Sequence, residues 1–244
     1  QYTYFPMLVV LEKHDDKSFK STRFLRASDL AGDLGQENNP EWKTIAYDET
    51  SNGLVSPQGS IGYRWGEKGK WNIEERDGAN GNETKLKLSF ISDQVSPVAF
   101  PHFAASAHAS SHWDGCDQDP VQVRNVPSTT IKGADGKDYI VATVYDLMMA
   151  NYGLDRGLGG DNVASSYDDD VAYTPAWQEK ITGLARDKVI RIAREFADTA
   201  NKTKGKSMII VGAAMNHWYH MDMNYRGLIN MVMMCGCVGQ SGGG

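Results

Sequence analysis

The stretch from Ser207 to Gly236 constrains the fold of this chain more than any other. A polar connector, Lys202 to Lys206, leads into SMIIVGAA, and an uninterrupted apolar run of that length reads as a strand covered on both faces, as in a parallel sheet. After it come the loop Gly212 to Asp222 and YRGLINMVMMCG, a nearly all-apolar helix. Upstream, Val189, Ala193, Phe196, Ala197 and Ala200 recur at helical spacing. Arg186, Lys188, Arg191, Arg194 and Glu195 fall mostly elsewhere, so Ala185 to Ala200 predicts a helix with one buried face. Helix, buried strand, loop, helix is α/β grammar.

In such folds ligands collect beyond the carboxyl ends of the strands, where the next helix begins and its free N–H groups favour an anion. Here that place is GAAMNHWYHMD, Gly212 to Asp222. Asn216, His217, Trp218, Tyr219 and His220 are a dense polar and aromatic set for a connector. The competing reading packs Trp218 and Tyr219 on the core and spends the histidines on backbone groups.

The first half has a different period. Asn52-Gly53 and Asp135-Gly136 favour the positive φ of tight hairpin turns. Alternation through residues 62–90 suits exposed antiparallel strands, whereas residues 92–128, rich in Ser, Ala, Asp and His, read as a loop-rich insertion. After Tyr145 the pattern turns helical. YDLMMANYG closes on Gly153, and Thr174-Pro175 supplies an N-cap and a first helical residue for a helix ending at Gly183. The expectation is a mixed α/β chain: a β-rich part over 1–144, then a Rossmann-like α/β cofactor-binding part over 145–244, incomplete at both ends.

Composition excludes some functions. With 25 Lys plus Arg against 31 Asp plus Glu, the net charge of -6 argues against a general nucleic-acid or anionic-membrane surface. Three cysteines are too few and too oddly placed for a disulfide framework, which favours a reducing compartment. The longest apolar stretch, Leu228 to Val238, falls short of the roughly 20 residues that cross a bilayer. No signal peptide is visible. The chain opens within an apolar run and closes on Gly242, Gly243 and Gly244, which reads as an internal piece of a longer protein.

Other constellations have plainer readings. His102, His108, His112 and Cys116 lack the paired spacing of structural zinc ligands. Cys235 and Cys237 read as two buried thiols, Asp168 to Asp170 as a solvated loop before a helix, and the basic helix face as solvent-exposed.

SMIIVGAAMNHWYHMDMNYRGLINMVMMCGCVGQSGGG resembles the catalytic alpha subunits of membrane-bound respiratory nitrate reductases, a branch of the molybdopterin oxidoreductase (DMSO reductase) superfamily. YDDDVAYTPAWQEKITGLARDKVIRIAREFAD, LGQENNPEWKTIAYDE and GSIGYRWGEKGKWN are similar to the same family. Superfamily members end this region in T-G-x-x-G-x-x-G-x-G; this chain has Cys235 in place of the Thr, with Gly236, Gly239, Gly242 and Gly244 in register.

The resemblance implies molybdenum held by two molybdopterin guanine dinucleotides, nitrate as substrate, and electrons arriving from quinol through iron-sulfur clusters. It places Asn216 and His217 nearest metal and substrate as catalytic candidates. Gly212, Asn216, His217, Trp218, His220, Gly239 and Ser241 would be the cofactor-binding residues. No residue here ligates the metal, since the family's ligating Asp and its [4Fe-4S] ligands lie upstream of the region matched, and the piece alone is expected to be inactive. The implied partners are an iron-sulfur beta subunit and a haem-containing membrane subunit, at the cytoplasmic side of the bacterial inner membrane. Selenate, chlorate and perchlorate reductases of the same branch remain alternatives, as does a non-catalytic β-rich interaction module.

Overall fold

The computed structural model describes residues 4–32, 34, 39–59, 75–101 and 121–244. They form two compact units, Tyr2–Trp177 and Gln178–Gly244. The zinc-like set His102, His108, His112 and Cys116 lies outside the described residues.

The first unit is built around a closed five-stranded barrel. Its elements are β1 (Leu8–Lys13), β2 (Phe19–Phe24), the short β3 (Ala46–Asp48) and β4 (Gly53–Val55), β5 (Gln94–Pro101), β6 (Val121–Lys132), β7 (Asp138–Thr143) and the helix α1 (Val144–Asn151). Around the barrel the order is β1-β2-β5-β6-β7, and β1 pairs with β7 to close it. All pairs are antiparallel except β2 with β5, which meet in parallel at Phe19 and Val98. Both hairpins expected from turn chemistry are present. Asn52 (φ 53) turns β3 into β4, and Gly136 (φ 80) lies between β6 and β7.

One apolar cluster draws Leu11, Phe19, Val98, Phe100, Val126 and Ala142 from all five strands, so it fills the lumen, where Leu147 and Ala150 of α1 join it. A second cluster, with Leu8, Val10, Leu25, Ile45, Phe90 and Val141, covers the other face of β1. Because β1 is covered on both faces, its sequence LVVL is continuous rather than alternating. Thr143 ends β7 and caps α1, its hydroxyl accepting from the Asp146 amide at 3.0 Å. As expected, α1 closes at Gly153.

Two readings of this region need correction. Residues 92–128, expected to be loop-rich, contain β5 and the first part of β6, paired in register from Gln94 opposite Ser128 to Pro101 opposite Val121. Two prolines, Pro97 and Pro101, stand within β5. Because β5 meets β2 only at Val98, a missing N–H at Pro97 interrupts little of that ladder. The exposed strands expected over 62–90 are not found in the described portion, 75–90, where isolated bridges such as Arg76 to Glu83 stand instead.

The barrel also holds buried charge. Arg124 is fully buried, and its guanidinium donates to Asp161 O (2.8 Å), Ala150 O (2.7 Å), Asn151 O (2.9 Å), Asn162 O (2.8 Å) and Gln122 Oε1 (2.9 Å). Those bonds tie the end of α1 and the loop around 161 to β6. Asp146, equally buried, pairs with Arg156 at 2.7 Å and accepts from Ser89 Oγ and Phe90 N.

Four further helices follow: α2 (Pro175–Thr182), α3 (Arg186–Thr203), the one-turn α4 (Ala213–Asn216) and α5 (Met221–Met234). Thr174 caps α2 as expected, its hydroxyl accepting from Trp177 N at 3.1 Å. The α3 helix begins where predicted but runs three residues past the expected end at Ala200, into the expected connector, and its apolar face is largely uncovered. Ala200 is buried while Ala193 and Ala197 are exposed, and Ile192 is 60% exposed.

The segment SMIIVGAA differs most from expectation. Residues 207–212 are extended, not a buried strand, and Ile210 is 90% exposed. Ile209 N donates to Gly244 O at 2.9 Å and Gly244 N to Ser207 O at 3.3 Å, which is the bonding pattern of one parallel rung at Met208. A ladder needs a run of paired residues, and among the described residues of this unit only that rung is present. Mixed α/β remains the class of the chain. Around the rung, Ala200, Val232 and Cys237 form a small core with Phe196, Ile209 and Cys235.

Candidate functional site

The predicted loop is shorter and more helical than its sequence suggests. Gly212 leads into α4, the chain reverses over residues 217–220, and His220 adopts a left-handed conformation (φ 58) immediately before α5. The reversal turns the side chains of this loop outward. Trp218 is 71% exposed and Tyr219 86%, so they do not pack on the core. The Tyr219 ring lies against the His220 imidazole, centroids 3.9 Å apart.

A cleft of about 440 Å³ opens where the extended segment ends, lined by Ile209, Ile210, Val211, Gly212, Trp218 and Asn224, among others. Its volume is in the range of small-molecule sites. Gly212 is extended (φ -159), a conformation any residue adopts. What it contributes is space, since a Cβ there would meet nothing within 4 Å. By contrast, a cavity beside Arg124 and Asp146 in the barrel unit measures about 10 Å³ and has room for about one water.

The structure brings only part of the predicted set together. Gly212 and Trp218 line the cleft; Asn216, His217 and His220 sit on the same loop, exposed. Asn216 is held, its Oδ1 accepting from the Tyr225 hydroxyl of α5. Gly239 and Ser241 lie in the turn after α5, separated from the loop by the length of a helix of 14 residues, roughly 20 Å. Sequence reasoning missed Asn224 and Tyr225. Both follow the loop at helical positions, and the signal that could have found them is the concentration of polar side chains, Asp222, Asn224, Tyr225 and Arg226, in the first two turns of α5.

With a single turn, α4 has too little length for a macrodipole, and Asp222 in the first turn of α5 offsets part of the positive charge at that helix start. The glycine-rich turn has another role. A Cβ on Gly205 would lie 2.3 Å from Gly236 O, and one on Gly243 2.2 Å from Gly205 O, so backbone packs directly on backbone there. Cys237 is buried and Cys235 half-buried, both as free thiols.

Comparison with known proteins bears on this arrangement. The chain is 57% identical to the respiratory nitrate reductase 1 alpha chain of Escherichia coli (strain K12) and 39% to the nitrate reductase alpha chain of Bacillus subtilis (strain 168). Each likeness covers 100% of this chain and 19% of the relative. It is 28% identical to the perchlorate reductase subunit alpha of Dechloromonas aromatica (strain RCB), over 61% of this chain and 13% of that protein. The chain thus spans about a fifth of the curated relatives it matches along its whole length. Among the described residues no helix is long and apolar enough to cross a membrane. Molybdopterin oxidoreductase matches residues 36–244, and the chain belongs to that family, membership of which implies a molybdenum–pterin cofactor.

Proposed function

We propose that this chain is part of the catalytic subunit of a molybdenum nitrate reductase, which converts nitrate to nitrite with electrons drawn from quinol through iron-sulfur clusters. The observation that carries the reading is likeness along the whole chain to nitrate reductase alpha chains, at 57% and 39%, against 28% over part of it to a perchlorate reductase.

The residues present suit one end of a guanine dinucleotide. Trp218 offers an exposed indole face, and stacking of a base on an aromatic ring contributes about 1–3 kcal/mol. Gly212 leaves open space for close approach, and Asn224 supplies an amide at the cleft wall. His220 and the turn residues Gly239 and Ser241 complete the proposed cofactor-binding set. When bound, the cofactor supplies a reduced metal that takes an oxygen atom from nitrate. Asn216 and His217 donate hydrogen bonds to the oxygen on which charge grows, where donors placed in advance are worth most. No metal ligand is assigned to the chain. The proposal also includes an iron-sulfur beta subunit, a haem-containing membrane subunit, a [4Fe-4S] cluster in the complete subunit, and attachment through those partners at the cytoplasmic side of the inner membrane.

The purified complete subunit should contain molybdenum and iron and should reduce nitrate with reduced viologen in preference to perchlorate. Lack of molybdenum, or preference for perchlorate, overturns the reading. His217→Ala should lower nitrate turnover about 100-fold while the melting temperature holds; unchanged turnover removes His217 from the site.

A further inference from the structure

We infer that Tyr225 is a positioning residue for nitrate: its hydroxyl fixes the orientation of the Asn216 amide and so decides that the loop presents donors, not acceptors, to the substrate. This rests on the proposed placement of Asn216 at the nitrate site.

An asparagine side chain is two-sided. Its oxygen accepts and its NH2 group donates two protons, so rotation by half a turn about the last side-chain bond exchanges attraction of an oxyanion for repulsion. Asn216 ends α4 and is exposed, where its own surroundings would leave the rotation open. Tyr225 lies in the second turn of α5, nine residues on, and its hydroxyl meets Asn216 Oδ1. With the oxygen engaged, the NH2 group points away from α5 and both its protons remain for a ligand. The chain reversal at His220, in its left-handed conformation, brings the two residues within reach.

A positioning residue and a clip that merely closes the loop separate experimentally in the complete holoenzyme. Tyr225→Phe keeps the ring and removes only the hydroxyl. Positioning predicts that the nitrate dissociation constant from calorimetry on the oxidised enzyme rises and that kcat falls as well, for a loss of at least about tenfold in kcat/KM, with molybdenum content and melting temperature unchanged. Asn216→Ala should weaken nitrate binding at least as much, and the double variant should bind no worse than Asn216→Ala alone.

Additive losses in the double variant, or wild-type nitrate binding by Tyr225→Phe, overturn the positioning role. A fall in melting temperature with unchanged nitrate affinity makes the tie a clip and overturns it equally. If Asn216→Ala itself binds nitrate normally, the placement of Asn216 fails first and the inference falls with it, an outcome distinct from failure at Tyr225.

Discussion

The two compact units handle the same chemistry in opposite ways. In the barrel unit, polar groups are taken inside and satisfied: Arg124 has its donors shared among four carbonyls and the Gln122 amide, and Asp146 faces Arg156. In the unit 178–244, the fully enclosed apolar core is Ala200, Val232 and Cys237, while Ile210, Tyr219 and Trp218 stand in solvent. The unit that carries the candidate loop thus leaves its large apolar side chains uncovered. The barrel supplies rigidity from its own residues, and the loop-bearing unit supplies surface.

That contrast can be broken most sharply at Arg124. Arg124→Met would strand carbonyls of α1 and the 161–162 loop without donors, and equilibrium unfolding of the chain should lose about 4 kcal/mol. A loss under about 1 kcal/mol would mean that the barrel does not depend on its buried polar network. Next comes Gly205→Ala. Gly205 has a φ of +88, and the new Cβ would meet backbone at 2.3 Å. A cost of about 2–3 kcal/mol is expected, with faster amide hydrogen exchange confined to residues 178–244. Faster exchange in the barrel as well would show the two units to be one cooperative structure.

A smaller effect is expected from acid. Burial of Asp48 raises its pKa, but hydrogen bonds from Ser51 and from the backbone N–H groups of Lys85, Ser51 and Thr50 outweigh this and hold it at about 2, below the ordinary 3.8. A depressed carboxylate stabilises the fold above its unfolded pKa, so stability should be lost as pH falls from 3.8 to about 2, by about 2 kcal/mol at most. Asp48→Asn should flatten that part of the pH profile; an unchanged profile removes Asp48 as its source. Smallest of all, Ile210→Ser should change the stability of the chain by less than about 0.5 kcal/mol, since the side chain is 90% exposed. A loss above about 1 kcal/mol would show that Ile210 is covered in solution.

What was legible in the sequence was local. Asn52-Gly53, Asp135-Gly136 and Thr174-Pro175 act through a few neighbouring atoms, and the two hairpins and the start of α2 follow from them. Barrel closure was not legible, because the β2–β5 pair joins Phe19 to Val98 with no local turn between them to mark it. The run Ser207 to Val211 has the composition of an inner strand, yet composition cannot supply the neighbours that bury it. At the site, the loop was visible by its density of Asn, His and Trp. The Tyr225 contact to Asn216 was not, since it depends on a chain reversal at a non-glycine residue, His220.

The contact of Gly205 with the turn after α5 has one more consequence. The place where α5 leaves the small core is fixed by main-chain atoms of Gly205, Gly236, Cys237 and Gly243, which every substitution elsewhere on the helix leaves in place. Residues along α5 are therefore free to diverge without re-aiming it, so related enzymes can retune the cleft wall by changing side chains alone while the hinge on which the wall hangs stays the same.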